Sequence, residues 1–333
     1  MTHHDDPDSD IARLISAAGT RTAPAADRAA RVRAATEAAW RAEVRRRRQR
    51  SMIWIGGALL ASAAALFLAV QQRSTVAPAA VVPVPATIAR LAAANGEVRT
   101  GRTGAAAVVA AVGHAIAAGS NIQTGAASRA ALTLSDGGEM RLDTDTDATL
   151  VDARTIQIAR GAIYLDSGVS TPGRFTVRTT SGTLRDIGTR FEVRVAGRDV
   201  VVRVRDGAVQ LEQTNRIERV PMGTELTAHA DGAISTRGID AFAADWAWTT
   251  EAAPPFTVEG ATLESFLQWA THEGGWTLEW SDAMRQRART TTLHGTIAGM
   301  TPAEALSVVL PTCGLSPVIA RGTLRLRSLQ GAR

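Results

Sequence analysis

Residues Phe191 to Glu212 read FEVRVAGRDVVVRVRDGAVQLE. Apolar and polar side chains alternate along this stretch. Phe191, Val193 and Val195 share one face, followed by Val200, Val202 and Val204, then Val209 and Leu211. A period of two belongs to a strand with one face on a core. Gly197-Arg198-Asp199 and Asp206-Gly207 interrupt the pattern where the chain must turn. The stretch is therefore read as three short strands. On this register Arg194, Arg203 and Arg205 point outward.

The same grammar extends toward the N-terminus. Alternating runs recur at Arg129–Leu134, Glu139–Leu142, Thr155–Ile158, Ala162–Leu165, Arg174–Arg178 and Thr183–Ile187. Asp136-Gly137, Gly161, Gly173 and Gly182 punctuate them. Short strands at regular spacing with turn signals predict an all-β unit, solenoid-like or sandwich-like, over residues 88–235.

Several of these pieces, in this order, resemble the FecR domain. They are Gly119 through Thr124-Gly125, the Leu-x-Leu-x-Asp-Gly of Leu132 to Gly137, and Arg160-Gly161. Phe175-x-Val177, Gly188-Thr189-x-Phe191-x-Val193 and Val204-x-x-Gly207-x-Val209 follow. The resemblance covers roughly residues 95–225. It implies a periplasmic β-rich module of a membrane-bound anti-sigma regulator, working in cell-surface signalling with a TonB-dependent outer-membrane transducer. It also marks Gly188-Thr189, where some family members are thought to self-cleave once by an N→O acyl shift. Glycine suits such a step because a residue without Cβ tolerates the strained geometry. The plainer alternative is a glycine at a tight bend and a threonine at a strand start.

C-terminal to the β unit, residues 236–255 read as a connector carrying Trp246 and Trp248. Residues 256–328 then read as a small two-layer α/β domain of order βαββαββ. Expected strands are Phe256–Glu259, Trp276–Trp280 and Thr291–Ile297. A helix is expected over Thr262–His272, stopped by Gly274-Gly275. Thr301-Pro302-Ala303-Glu304 has capping-box spacing with proline at the first helical position. Leu315–Ala320 and Thr323–Arg327 read as a hairpin around Arg321-Gly322. The segment from Thr292 to Ser328 resembles the secretin/TonB short N-terminal (STN) domain, which implies docking to the transducer's signalling domain. Phe256, Val258, Leu324 and Leu326 are the candidate edge-strand contacts, since an exposed edge can accept a partner strand.

Toward the other end, Met52 to Val70 is MIWIGGALLASAAALFLAV, 19 residues without a charge. At ~1.5 Å per residue it is about 28 Å long, close to a bilayer's hydrocarbon thickness. Arg45, Arg46, Arg47, Arg48 and Arg50 stand just before it. A transmembrane helix over 51–71 is expected, with the N-terminus cytoplasmic and the C-terminal bulk periplasmic. A Pro/Ala-rich linker, 72–87, follows it. Residues 1–50 read as a short helical cytoplasmic segment. Its apolar positions Ile11, Leu14, Ile15, Val32 and Trp40 form a candidate face for an extracytoplasmic-function sigma factor, or else a face lying on lipid. The rival to the regulator reading is a membrane-tethered periplasmic adaptor with no sigma partner.

Composition argues against common enzyme classes. All 37 basic residues are arginine, which removes the P-loop lysine and Schiff-base chemistry. No GxSxG, HExxH or GxGxxG occurs. Cys313 is the single cysteine, so no CxxC site exists. Asp143, Asp145 and Asp147 alternate, but without EF-hand spacing they read as a solvated strand face or loop. No metal, cofactor or direct nucleic-acid contact is expected. The net charge of +5 sits mainly in residues 1–50, with 11 Arg against 7 acidic residues.

Overall fold

The structure is a computed structural model that describes residues 27, 30, 31, 34–41, 45, 86–102, 106–168 and 175–329. The chain divides into two compact units, Met1–Pro83 and Val84–Arg333. The described part of the first unit is helical and carries the i,i+4 pairs Arg31–Asp27 and Arg41–Glu37.

In the second unit one long strand, Thr155–Asp166, organises the β structure. Its first half pairs with Asp147–Leu150 and, in parallel, with Thr176–Thr179. Its second half pairs antiparallel with Glu139–Leu142 and Arg190–Ala196. The two halves thus belong to two different sheets. The bend falls at Gly161, where φ is +81° and an added Cβ would lie 2.4 Å from Thr146 Cα. Thr146 fills the corner: its hydroxyl accepts from the Ala162 N–H at 3.0 Å. A bulge between Asp147 and Ala148 faces the same point.

From this shared strand one sheet runs outward through Arg190–Ala196, Asp199–Asp206, Thr224–Ala228 and Ile234–Gly238. Its other wing holds Glu139–Leu142, Arg129–Leu134 and Thr87–Asn95. The second sheet adds Gly182–Asp186, Ala208–Gln213 and Arg216–Pro221 on one side of the shared strand. Ser120–Thr124 and Val98–Arg102 extend it on the other. One core lies between the sheets, with Phe191, Val193, Val202 and Val204 from the first and Ile156, Val177, Leu184 and Leu211 from the second. Burying these apolar faces is the main stabilising term.

The expected fold class is corrected in two respects. The β unit is not a closed solenoid; it is two sheets joined through one bent strand. Among the described residues no helix is long and apolar enough to cross a membrane, so the expected transmembrane helix finds no support there. The 51–71 segment itself lies outside the described residues.

The C-terminal segment also departs from the expected order. Its elements are helix Leu263–Gly274, strand Thr277–Glu279, helices Asp282–Thr290 and Pro302–Thr312, and strands Leu315–Ala320 and Thr323–Ser328. The capping box forms as expected, with the Thr301 side chain accepting from the Glu304 N–H and Glu304 reaching back to the Thr301 N–H. Phe256–Val258 is not a strand. Val258 is buried and Phe256 stacks on Trp269 at 5.1 Å between ring centroids, so side-chain packing replaces sheet pairing. Thr291–Ile297 makes a single bridge, Thr262–Thr292. Helix Asp282–Thr290 takes the expected gap between strands. Ser281 caps it, and only Ala288 is buried, which leaves no apolar periodicity to read.

Candidate functional site

The outer face of the first sheet is the unexpected region. Strand alternation places Glu192, Arg194, Arg203 and Arg205 on it, and the sequence predicts solvent there. The connector covers it instead. A 3-10 turn at Ala244–Trp246 and helix Ala247–Ala252 lay Trp246 and Trp248 against Ala162 and Tyr164 of the shared strand. The expected outward pointing of the arginines is thereby corrected: Arg205 is only 3% exposed.

Apart from Arg205, the charges under and beside this cover are matched by opposite ones. Glu192 is fully buried and accepts from Arg194 Nε at 2.8 Å, Arg203 Nη1 at 3.0 Å and the Trp248 indole N–H at 3.3 Å. Glu225 accepts from Arg203 Nε at 2.5 Å and from both ends of the Arg237 fork at 2.6 Å. Arg141, on strand Glu139–Leu142, reaches the end of helix Leu263–Gly274. It donates to the two Glu273 oxygens at 2.6 and 2.7 Å and to the Thr249 carbonyl at 2.7 Å. His272 Nε2 stands 2.9 Å from Asp166 Oδ2, beside Arg190 Nη1, which donates to the His272 carbonyl. Ion pairs so removed from water hold only when every partner is in place.

Their titration follows from the geometry. Burial pushes the Glu273 carboxyl up, but the hydrogen-bonded guanidinium of Arg141 outweighs it and leaves the group below its ordinary value. Asp143 behaves likewise, burial being outweighed by Arg194, the Thr144 N–H and Arg129. Asp166 is also held low, with His272 and the Gly168 N–H opposing its burial.

Gly188 and Thr189 sit at the start of strand Arg190–Ala196. Gly188 has φ +74°, and the backbone of Gly207 passes so close that a Cβ there would lie 2.4 Å from the Gly188 carbonyl oxygen. The Thr189 hydroxyl donates to the buried Asp186 carboxylate, and the Thr189 N–H donates to Ser167 Oγ at 2.8 Å. A hydroxyl, a carboxylate and a glycine carbonyl thus converge on one peptide bond.

The other sequence-derived candidates are scattered. Leu324 lies in the middle strand of the three-stranded sheet, paired on both sides and fully buried, so it is not on an edge; Leu326 pairs only with Pro317, beyond the end of Thr277–Glu279. The edges are Thr277–Glu279 and Leu315–Ala320, because Thr323–Ser328 pairs with both. Phe256 and Val258 belong to the packed core of the α/β segment. Trp40 and Arg45 are helical and exposed, Trp40 at 69%. Ile11, Leu14, Ile15, Val32, Arg46, Arg47, Arg48 and Arg50 lie outside the described residues. Asp143 and Asp147 pair with Arg129 and Asn121 respectively, and the described residues hold no cluster of metal-ligating side chains. Arg141, Glu273 and Glu192 were not singled out from sequence. The available signal was the pair of tryptophans in the connector, which needed an apolar surface to cover.

Residues 120–210 match the family described as FecR protein. The chain is FecR-like over that span. The match runs from strand Ser120–Thr124 into strand Ala208–Gln213 and contains the shared strand and Gly188-Thr189. It bears out the resemblance read from the motifs. No curated protein matches the chain. Among solved structures, two crystal structures of a proposed anti-sigma factor from Parabacteroides distasonis ATCC 8503 are similar. Each is 15% identical, with 62% of this chain and 98% of the other covered, at a TM-score of 0.35.

Proposed function

We propose that the chain is an anti-sigma regulator of the FecR type. The FecR match over residues 120–210 carries this reading. In it, the folded unit faces the periplasm at the inner membrane and receives a signal from a TonB-dependent outer-membrane transducer. Residues 1–50 hold an extracytoplasmic-function sigma factor in the cytoplasm. The regulator turns over no substrate. The test is a pull-down from cell extract with the full chain and with a chain lacking residues 1–50. Recovery of a sigma factor with the first and not the second is the expected result. Recovery of an outer-membrane protein by both, with no sigma factor by either, overturns the reading in favour of a periplasmic adaptor. A reporter fused after Arg333 that is active only in the cytosol removes the envelope location.

The reading includes one self-processing event at Gly188-Thr189. Thr189 Oγ1 attacks the Gly188 carbonyl carbon while Asp186 takes the hydroxyl proton. The C–N bond breaks, the amine gains a proton, and an ester links the two residues. Water then opens the ester, leaving a Gly188 carboxylate and restoring the hydroxyl. The hydrogen bond from Thr189 to Asp186 supports this assignment. Wild type is expected to give two bands on a denaturing gel, Thr189→Ala one and Thr189→Ser two. A wild type that remains full length in its native host rules the step out.

A further inference from the structure

A cleft of about 660 Å³ opens between the connector, the end of helix Leu263–Gly274 and the loop before helix Pro302–Thr312. Phe242, Trp246, Phe256, Trp269, Trp276 and Met300 line it. Its volume falls in the range of small-molecule sites, which combine apolar walls with a few placed polar groups. The placed group here is Arg205, which also lines the cleft.

Arg205 is a buried cation that makes no close ion pair with any described carboxylate; Glu273 acts on it only through longer-range attraction. Its Nε donates to the Ala241 carbonyl at 2.7 Å and its Nη2 to the Glu273 carbonyl at 2.8 Å. The guanidinium also lies 5.3 Å from the Trp246 ring centroid. Every one of these partners is neutral. The neighbouring carboxylate, Glu273, has both oxygens held by Arg141. The cleft's other acid, Glu251, pairs with Arg129 at 2.5 Å. Contrast Arg141 and Arg203 nearby, each of which meets at least one carboxylate. Leaving a charge buried and unmatched is costly. Burial accordingly pulls the Arg205 pKa down. The same wall holds a second unmatched donor, the buried Trp269 indole N–H.

We propose that this cleft binds a small monoanionic carboxylate with an aromatic or branched apolar body, its carboxylate on Arg205 and its body between Trp246, Trp269 and Trp276. A carboxylate beside a guanidinium matches its charge and accepts a charge-assisted hydrogen bond. A dianion is disfavoured because Arg205 offers a single positive charge and the cleft walls also carry the carboxylates of Glu273 and Glu251. An uncharged guest would leave Arg205 as it is. The site goes beyond the regulator reading and does not depend on it.

The probe is 3-phenylpropionate, titrated into the full chain with tryptophan fluorescence and thermal midpoint as readouts. Saturable binding is expected, at least about tenfold tighter than for 3-phenylpropionamide and for phenyl phosphate. Ala247→Trp fills the cleft from an exposed helical position and should abolish binding without lowering the midpoint. Arg205→Met should bind acid and amide alike. Where Arg205→Met does not fold, Ala247→Trp and the acid-to-amide ratio decide. No saturable change up to about 10 mM, equal binding of acid and amide by wild type, equal binding of phenyl phosphate, or full binding by Ala247→Trp each overturns the proposal.

Discussion

The two faces of the sheet around strand Arg190–Ala196 are built by opposite means. Its inner face is hydrocarbon: Phe191, Val193, Val202 and Val204 meet the facing sheet with no polar group to satisfy. Its outer face is salt: Glu192, Arg194, Arg203 and Glu225 are locked to one another beneath Trp246 and Trp248. The inner face tolerates any well-fitting apolar side chain. The outer face works only as a complete set, since an ion buried without its partner is more harmful than an apolar residue of the same size. Strand periodicity distinguishes the two faces but does not say whether the second one is wet.

The largest expected effect tests the inner face. Phe191→Ala removes a fully buried ring and should lower unfolding stability by about 3–5 kcal/mol, read from denaturant midpoints. A loss below about 1 kcal/mol would mean that the sheets do not pack through this residue. On the charged face, Glu273→Leu removes one of the two carboxylates that hold the buried Arg141, leaving Glu139, and should cost about 3 kcal/mol, whereas Arg141→Met with Glu273→Leu should cost clearly less. Additive losses in the double variant would break the contrast between the faces.

Acid should act on the charged face first. The folded-state pKa values of Asp143, Asp166 and Glu273 lie below their ordinary values, so the unfolded chain binds protons before the folded one as pH falls. Their stabilisation is complete above the ordinary carboxylate range and is lost as pH drops through it toward the folded values. The thermal midpoint should fall from about pH 5 downward, and less steeply in the Arg141→Met/Glu273→Leu chain. A midpoint independent of pH down to about 3 contradicts the ion-pair account. The smallest effect lies outside both faces: Thr262→Ala removes the cap of helix Leu263–Gly274 and should cost about 1 kcal/mol.

Legibility followed the same division. Arg129–Leu134 and Glu139–Leu142 are bounded in the structure as the alternation predicts, because each has one face on hydrocarbon. Thr155–Ile158 and Ala162–Leu165 were read as separate strands; Gly161 bends one continuous strand there instead of ending it. Helix Asp282–Thr290 was invisible because its buried side is a single alanine. The middle position of Thr323–Ser328 was also hidden, since its parallel partner Thr277–Glu279 is 44 residues away or more and nothing local encodes that pairing. The Gly188-Thr189 dipeptide was legible as a motif, but its Asp186 and Ser167 partners required the fold.

Strand Thr155–Asp166 has a consequence for cooperativity. Because each half is a rung of a different sheet, neither sheet can melt while the other keeps its ladder intact. Amide exchange at Ile156 and at Tyr164, on opposite sides of the Gly161 corner, should proceed at one common opening free energy, so that the β unit denatures as a single body.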